Sequence, residues 1–592
     1  MEMEKVKVRG GEFIVSDIEA SEIITPEDFT DEQKMFAQTV KDFVNGEIEP
    51  HLEELEQINY DLLRKLIQKA GEVGLLGAEI PEAYGGLGLD KVSCTIIGEN
   101  LVKSSSFSTA MGAHNGIGTL PIVYFGNEEQ KKKYLPSLVT AEKIAAYCLT
   151  EPGSGSDSLA AKSTAVLSDD GEHYILNGSK VYITNGGFAD IFIVYAKVDG
   201  EHFSAFIVER DWEGFSIGAE EKKMGIKGSS TVPIFFENVK VPKENLLGEV
   251  GKGHLIAFNI LNIGRYKLAA GCVGGGKEVI SLATKFANTR EQFKRPISKF
   301  PLMQGKLAEM NIKTYVMESM LYRTSGLIDE SLSAVDQHAE DFLMQNAKAI
   351  GEYALESSIN KVFASESFGN IVDEGVQIHG GAGFIQEYGI ERIYRDCRIN
   401  RIFEGTNEIN RLIIPATLMR KALKGELPLL QKAQELQGEL MSFRSQQIFE
   451  GTLEKETYLV ANLKKLFLVV GGLAAQKYGE DLKKEQEALA ALSDLLIAIY
   501  AMESTLLRTQ KKLASDPNKS DLAVAMTQCF IQEKFESAVV IGKHALSAME
   551  AGDMLHTQLS IVRKMERYTP DNLVAMKRKI AEQVIEKEQY CV

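Results

Sequence analysis

Two helical stretches flank about a hundred residues with the signature of β-structure, and that switch constrains the fold more than any other feature of the chain. Residues 146–247 hold short runs rich in β-branched and aromatic residues: YILNG, KVYITN, IFIVYAKV, SAFIVE and VPIFFENVKV. Asp170-Gly171, Asn177-Gly178 and Asp199-Gly200 punctuate them. Such pairs are hairpin signals, because both residues tolerate the positive φ that tight turns need. The region predicts a compact antiparallel β domain. Before it the period is helical: Phe36, Val40, Phe43 and Val44 share one face, and Leu62, Leu63, Leu66 and Ile67 another. After it helical periodicity returns at His254 and holds to about Lys424. One long segment within it, residues 336–379, stops at Gly380-Gly381. A linker at residues 424–428 leads to a last helical region, where Leu489, Leu492, Leu496, Ile499, Met502 and Leu506 recur at helical spacing. The pattern predicts a mainly α chain with a central β domain. Its parts are a polar, loose lead-in (1–30), a helical domain (31–145), the β domain (146–248), a helical domain of four-helix type (249–423) and an appended helical domain (429–592).

A chain of 592 residues exceeds one core, in keeping with several domains. The net charge of −17 disfavours a nucleic-acid partner, which needs a basic face. Six cysteines without CxxC spacing read as reduced thiols. The start, MEMEKVKVRGGEF, lacks the apolar core of a signal peptide and the Arg/Ser bias of a transit peptide, so a cytoplasmic location is expected. No run approaches the length of a membrane span. Ten apolar residues behind two lysines, within 463–475, read as a buried core helix or, alternatively, a peripheral membrane contact. Lys131, Lys132 and Lys133 read as a solvated helix face. The run GCVGGG at 271–276 lacks a preceding strand and G-x-G-x-x-G spacing, so it predicts close helix contact, not a nucleotide loop. No cluster has metal-ligand spacing.

One carboxylate stands apart. Glu404 lies in RIYRDCRINRIFEGTNEINR (392–411), beside Phe403 and before Gly405, with a helix predicted from the N-cap Thr406 and first-turn Glu408. The predicted helix carries Ile409, Leu412, Ile413, Ala416 and Met419 on one face. An apolar neighbour and a Gly-flanked turn suit a general base, although a surface Glu before a helix is the plainer reading. YCLTEPGSGSD (147–157) offers glycines and hydroxyls for a nest around an anion, or is an ordinary loop.

Taken together these segments resemble the acyl-CoA dehydrogenases. The resemblance runs from about residue 29 to 423, and the C-terminal part resembles the very-long-chain branch, including its complex I assembly-associated member. It implies an FAD-dependent enzyme that places a trans-2,3 double bond in a fatty acyl-CoA of long or very long chain. Electrons would pass to an electron-transferring flavoprotein. Glu404 would be the base that removes the α-proton. Tyr147, Leu149, Thr150, Gly155 and Ser156 match one flavin signature, with Ser156 also near substrate. Tyr182, Ile183 and Thr184 match a second, with Tyr182 where the family usually has Trp. Arg290, Phe293, Gln304, Gln377, Gly380 and Gly381 match contacts to a second flavin across a homodimer interface; Thr406 and Glu408 are also assigned to cofactor. Asn262, Arg265, Phe403 and Gly405 are assigned to substrate, Arg265 by pairing with the CoA moiety. Some branches carry the base just before that arginine; here the position is Gly264, which leaves the role to Glu404. The small residues around His114 either leave room for an acyl chain or let helices approach. An acyl-CoA oxidase, a non-catalytic assembly member and a DNA-associated member of the superfamily are the rival expectations.

Overall fold

The computed structural model describes residues 8–336, 339, 341–441 and 449–592. The first helical unit comprises α1 (Asp31–Phe43), α2 (Tyr60–Glu72), α3 (Lys91–Asn100), α4 (Ser105–Gly112), α5 (Leu120–Phe125) and α6 (Glu128–Val139). A capping box starts α1: Thr30 Oγ1 accepts from Gln33 N–H at 3.2 Å, and Gln33 accepts from Thr30 N–H at 3.1 Å. Leu62, Leu63, Leu66 and Ile67 of α2 are buried, as their spacing requires. Between α4 and α5, Ala113–Gly118 widens into a π-turn. His114 pins it. Its Nδ1 accepts from Ala145 N–H at 3.0 Å, so Nε2 carries the proton and donates to Leu138 O at 2.9 Å. Burial pushes this neutral imidazole down to about 4. Lys131 departs from the solvated reading: it is buried, 4.7 Å above the Phe342 ring.

Strands β1 (Ala145–Cys148), β2 (Thr164–Leu167), β3 (His173–Thr184), β4 (Ile191–Val198), β5 (His202–Glu209), β6 (Phe215–Ile217), β7 (Thr231–Pro242) and β8 (Leu246–Leu247) form one sheet. Most pairs are antiparallel, but β1 and β2 each run parallel to β4. Asp170-Gly171 and Asp199-Gly200 do turn hairpins. Asn177-Gly178 does not. It lies inside β3 at a register shift, where Gly178 has a φ of 144° and an added Cβ would sit 2.7 Å from Ser163 Cβ. The glycine there answers a close approach, not a turn. Successive residues of β4 enter different cores. Ile191, Ile193 and Tyr195 pack with the C-terminal helices, and Phe192, Val194 and Ala196 with α2 and the other sheet face.

The second helical unit is α7 (Gly253–Thr289), a short hairpin of β9 (Glu291–Gln292) and β10 (Arg295–Pro296), then α8 (Pro301–Ser333), α9 (Phe342–Glu352), α10 (Ala354–His379), α11 (Ile390–Cys397) and α12 (Asn407–Leu423). The segment expected as one helix over 336–379 is thus broken at Tyr353, whose hydroxyl donates to Val8 O at 2.8 Å; residues 337, 338 and 340 of it lie outside the described residues. The Gly271–Gly276 run serves close contact: an added Cβ at Gly275 would meet the Phe368 ring at 2.5 Å, and at Gly276 Thr314 Oγ1 at 2.9 Å.

The last unit holds α13 (Leu429–Met441), α14 (Glu454–Tyr478), α15 (Gln486–Ser515), α16 (Asp521–Met549), α17 (Gly552–Met565) and α18 (Leu573–Lys587). By length and composition α14 with its following turn, and α15, could each cross a membrane, yet 83% of the apolar window of α15 is inside the protein. The apolar window of α14 is 44% buried, through Leu463, Leu466, Phe467, Val470 and Leu473, so one face of it packs as a core helix does.

Residues 8–30 are not a loose lead-in. Phe13, Ile14, Ile18 and Ile23 are buried in short turns against the C-terminal helices. Gly10 N–H donates to Glu352 at 2.9 Å and Gly11 N–H to Glu356 at 2.6 Å. Glu27 reaches Arg508 of α15 at 3.0 Å. The irregular turns carry no period for sequence reading to detect.

Candidate active site

Where the sheet, α7 and α12 meet, a cavity of about 2480 Å³ opens. Tyr147, Leu149, Thr150, Gly155, Ser156, Tyr182, Ile183, Thr184, Asn262, Arg265, Phe403, Glu404, Gly405 and Thr406 all line it. Residues hundreds of positions apart in sequence are thereby brought to one place.

The turn after α11 holds Glu404 in the left-handed region, φ 58°, followed by Gly405 at 80°. A non-glycine residue there is strained and needs support. Three side chains supply it through the turn's own carbonyls. Arg265 Nε donates to Glu404 O at 3.1 Å, Lys361 Nζ to Gly405 O at 2.7 Å, and Asn410 Nδ2 to Gly405 O at 2.9 Å. Thr406 then caps α12, accepting from Ile409 N–H at 3.2 Å. With its backbone tied down, the Glu404 side chain is free. Glu404 lines the cavity, and its carboxylate Oε2 is buried and without a hydrogen-bond partner among the described residues. Burial raises the carboxyl to about 7, against the pull of Arg265 and Lys361. Gly264 makes the space: a Cβ there would lie 2.7 Å from Oε2 and 2.8 Å from Cδ of Glu404. A side chain at 264 and the carboxylate of 404 cannot share this position.

Arg265, expected from the resemblance to pair with the CoA moiety, lines the cavity with its guanidinium engaged inside the protein. It is buried, held by Glu404 O and by Asn262 Oδ1 at 2.7 Å, and it steadies the 404–405 turn. Asn262 is likewise committed to that arginine. Lys361 and Asn410 were not foreseen from sequence. A lysine within the apolar run around Ile359 and Phe363 was the available signal, and it is fully buried.

The Gly/Ser turn is rigid on its inner side. Glu151 pairs through its backbone with Ser154, and its carboxylate takes Lys180 Nζ at 2.7 Å and Lys162 N–H at 2.6 Å. Gly155 and Ser156 stay exposed to the cavity, and an added Cβ at Gly155 would meet nothing within 4 Å. Val181 N–H donates to Thr150 O at 2.9 Å, which fixes this turn against β3. There the β3–β7 register shifts between Lys180 and Ile183, and Tyr182 takes a φ of 60°. Such a bulge turns a side chain out of the ladder. Tyr182 is 65% exposed, with a flat ring presented to the cavity. An open glycine turn, unfilled hydroxyls and a free aromatic face fit a flavin dinucleotide.

Arg290, Phe293, Gln304, Gln377, Gly380, Gly381 and Glu408 do not line the cavity. Arg290 and Phe293 stand on the β9–β10 hairpin, with Phe293 87% exposed. Gln377, Gly380 and Gly381 are exposed at the end of α10, beside the exposed Phe384 and Tyr388. Gln304 faces Glu582 and Ile585 of α18. Glu408 is exposed in the first turn of α12.

The fold and this site define a flavin-dependent dehydrogenase of acyl thioesters, and the chain belongs to the acyl-CoA dehydrogenase family. Family models match in order: the acyl-CoA dehydrogenase N-terminal domain (residues 30–142), middle domain (146–239) and C-terminal domain (251–419), and a further C-terminal domain model (462–564). The chain is 55% identical over 587 residues to a probable acyl-CoA dehydrogenase of Bacillus subtilis strain 168, spanning 99% of this chain and 98% of that one. It is 38% identical to the very long-chain specific acyl-CoA dehydrogenase of Rattus norvegicus mitochondria, spanning 78% of this chain and 71% of that one. A crystal structure of an acyl-CoA dehydrogenase complexed with FAD from Bacillus anthracis superposes with a TM-score of 0.97 at 56% identity, over 99% of this chain and 100% of that one. The family is FAD-dependent, and this chain is an oxidoreductase of that type.

Lys361 offers a test of how the site is tuned. Burial lowers its ammonium to about 8, against the attraction of Glu404. Lys361→Met removes one of the two cations that hold the Glu404 carboxyl down. The acid limb of the kcat/KM profile should then move up by a few tenths to about one pH unit. A lysine that served only as a strut would leave that limb in place while kcat fell.

Proposed function

We propose that the protein desaturates long or very-long-chain fatty acyl-CoA at C2–C3 as a homodimer, and passes the electrons to an electron-transferring flavoprotein in the cytoplasm. The observation that carries the chemistry is the partnerless, buried Glu404 carboxylate inside a cavity that also holds the flavin-type turn. Bound FAD supplies the hydride acceptor. Tyr182 and the Thr150, Ser156 and Thr184 hydroxyls would hold it. Glu404 takes the α-proton; raised to about 7, it is a stronger base than an ordinary carboxylate and about half of it is ionised in neutral solution. Arg265, Lys361 and Asn410 keep the Glu404 peptide still, so its N–H stays fixed where a thioester oxygen can accept from it. Leu149, Ile183 and Phe403 keep water away.

Chain length rests on likeness to the very-long-chain relatives and on the small Ala113 that lines the cavity. The dimer rests on the outward-facing Arg290, Phe293, Gln377 and Gly380, which a second copy would bring to its flavin. Anaerobic mixing of the flavoprotein with saturated acyl-CoAs of graded length tests the reading. Flavin absorbance should bleach fastest with long chains, and turnover should need an electron-transferring flavoprotein. Peroxide formation in air without that acceptor would point to an oxidase. No bleaching with any acyl-CoA would defeat the proposal.

A further inference from the structure

On the inner side of the Gly/Ser turn lies an ion pair that the chemistry at Glu404 does not use. Lys180 of β3 and Glu151 of the turn are 0% and 6% exposed on their side chains, and Lys180 Nζ lies 2.7 Å from Glu151 Oε1. Burial would raise the Glu151 carboxyl, but Lys180 and the Lys162 N–H hold it below its ordinary range, so it is ionised at neutral pH. Taking two charges out of water is expensive, and apolar residues of similar size often replace such a pair without loss of stability. Fold stability alone gives little reason for an ion pair here.

Its contacts give another. Lys180 Nζ also donates to Leu149 O at 3.2 Å, and the next residue, Val181, donates its N–H to Thr150 O at 2.9 Å. Two consecutive residues of β3 thus hold two consecutive carbonyls of the turn. The three residues that follow, Tyr182, Ile183 and Thr184, line the cavity together with Leu149 and Thr150. Glu151 fastens the lysine from behind, for its carboxylate also accepts from Lys162 N–H at 2.6 Å and Ser163 N–H at 3.1 Å. In a trans peptide the N–H points opposite to the C=O. With Leu149 O turned to Lys180, the Thr150 N–H points away from the lysine, and among the described residues it makes no hydrogen bond. An ammonium on the carbonyl polarises the peptide and strengthens that free N–H as a donor.

We propose that the Lys180–Glu151 pair sets the affinity and the reduction potential of the flavin: Lys180 aims and polarises the Leu149–Thr150 peptide so that its N–H donates to the flavin, and Glu151 holds the lysine in place. Both are positioning residues, since neither lines the cavity. The inference rests on the flavin lying against residues 149–150, as in the reading above. Two-electron reduction leaves the flavin ring richer in electrons. A donor aimed there in advance binds the reduced form more tightly than the oxidised one and raises the potential.

The test compares FAD-loaded wild type with Lys180→Met and with the Lys180→Met, Glu151→Gln double variant. Three quantities are read: the melting temperature, the dissociation constant of FAD, and the anaerobic equilibrium of the flavin with a redox dye of known potential. Lys180→Met leaves a buried carboxylate without its cation and should melt lower. Its FAD dissociation constant should rise about tenfold. Its equilibrium with the dye should move about tenfold toward oxidised flavin, which is about 30 mV for a two-electron couple. The double variant buries no charge at this place, so its melting temperature should return most of the way to that of wild type. Leu149 O still lacks its donor there, so FAD affinity and the dye equilibrium should stay severalfold from wild type. A double variant that regained all three together would make the pair a structural brace and overturn the proposal. Wild-type affinity and equilibrium in Lys180→Met would overturn it as well, and if that variant does not fold the double variant decides. A wild type that took up no FAD would defeat the flavin reading itself, before any variant was compared.

Discussion

Glu404→Gln is expected to slow flavin bleaching by acyl-CoA by about 10²–10⁴-fold while acyl-CoA still binds. The amide keeps the size and shape that Gly264 accommodates but has no basic oxygen to receive the α-proton. Stability should move the other way. The folded-state pKa of Glu404 is raised from 4.5 to about 7, so between those values the folded protein holds a proton that the unfolded chain has lost. Stability contributed by that proton is present at low pH and declines as pH rises through the window. Ionised Glu404 therefore costs at most about 3 kcal/mol above neutrality, a cost the neutral glutamine avoids. Thermal denaturation of the FAD-bound proteins at pH 8 checks this: the variant should melt at the same temperature or higher. A variant that bleached at the wild-type rate would remove Glu404 from the chemistry. One that lost activity only because it melted lower would make the loss structural.

How much of this was legible in sequence depended on whether the signal was local. The switch from helical to strand periodicity placed the sheet, because pleat and helix leave different periods in the same side chains. Thr406 as a cap and Glu404 in a glycine-flanked turn were visible for the same reason. On α12, however, the expected apolar face divides: Leu412 and Met419 pack against the core and the two isoleucines do not. Asn410, Ile414 and Leu418 are buried, while Ile409 and Ile413 look into the cavity. A ligand-facing stripe and a core-facing stripe are both apolar, so periodicity alone cannot separate them. Arg265 was assigned to the CoA moiety through the resemblance of its segment alone. Only the fold reveals that the carbonyl of residue 404 lies within its reach. The N-terminal segment escaped detection because its burial is spread over short turns and is completed by partners more than three hundred residues away, such as Glu352 and Arg508.

Arg508→Met is expected to lower stability by about 3–5 kcal/mol, because it strips a buried cation from the carboxylates it serves. Arg508 is only 2% exposed on its side chain and sits 4.3 Å over the Tyr315 ring. Its guanidinium donates to Glu318 of α8 at 2.7 Å and to Glu27 of the N-terminal segment at 3.0 Å. Tyr590, two residues from the last, donates to the same Glu318 oxygen at 2.7 Å. Burial opposes ionisation of Glu318, but Lys277 and Arg508 hold it down to about 2, so the network is charged at neutral pH. The stabilisation it gives is full above the ordinary glutamate range and fades as pH falls toward 2. Methionine would fill much of the volume yet leave Glu27 without its cation and Glu318 with Lys277 alone. Calorimetry should show a melting temperature lower by several degrees, and proteolysis should begin within residues 8–30. Adding Glu318→Gln should cost less than the two single effects combined, since the charge left behind is then gone. Full additivity would mean the two residues act separately. Because one guanidinium joins the N-terminal segment to α8 and α15, and Tyr590 adds its hydroxyl to the same Glu318, the appended helices brace the N-terminal segment.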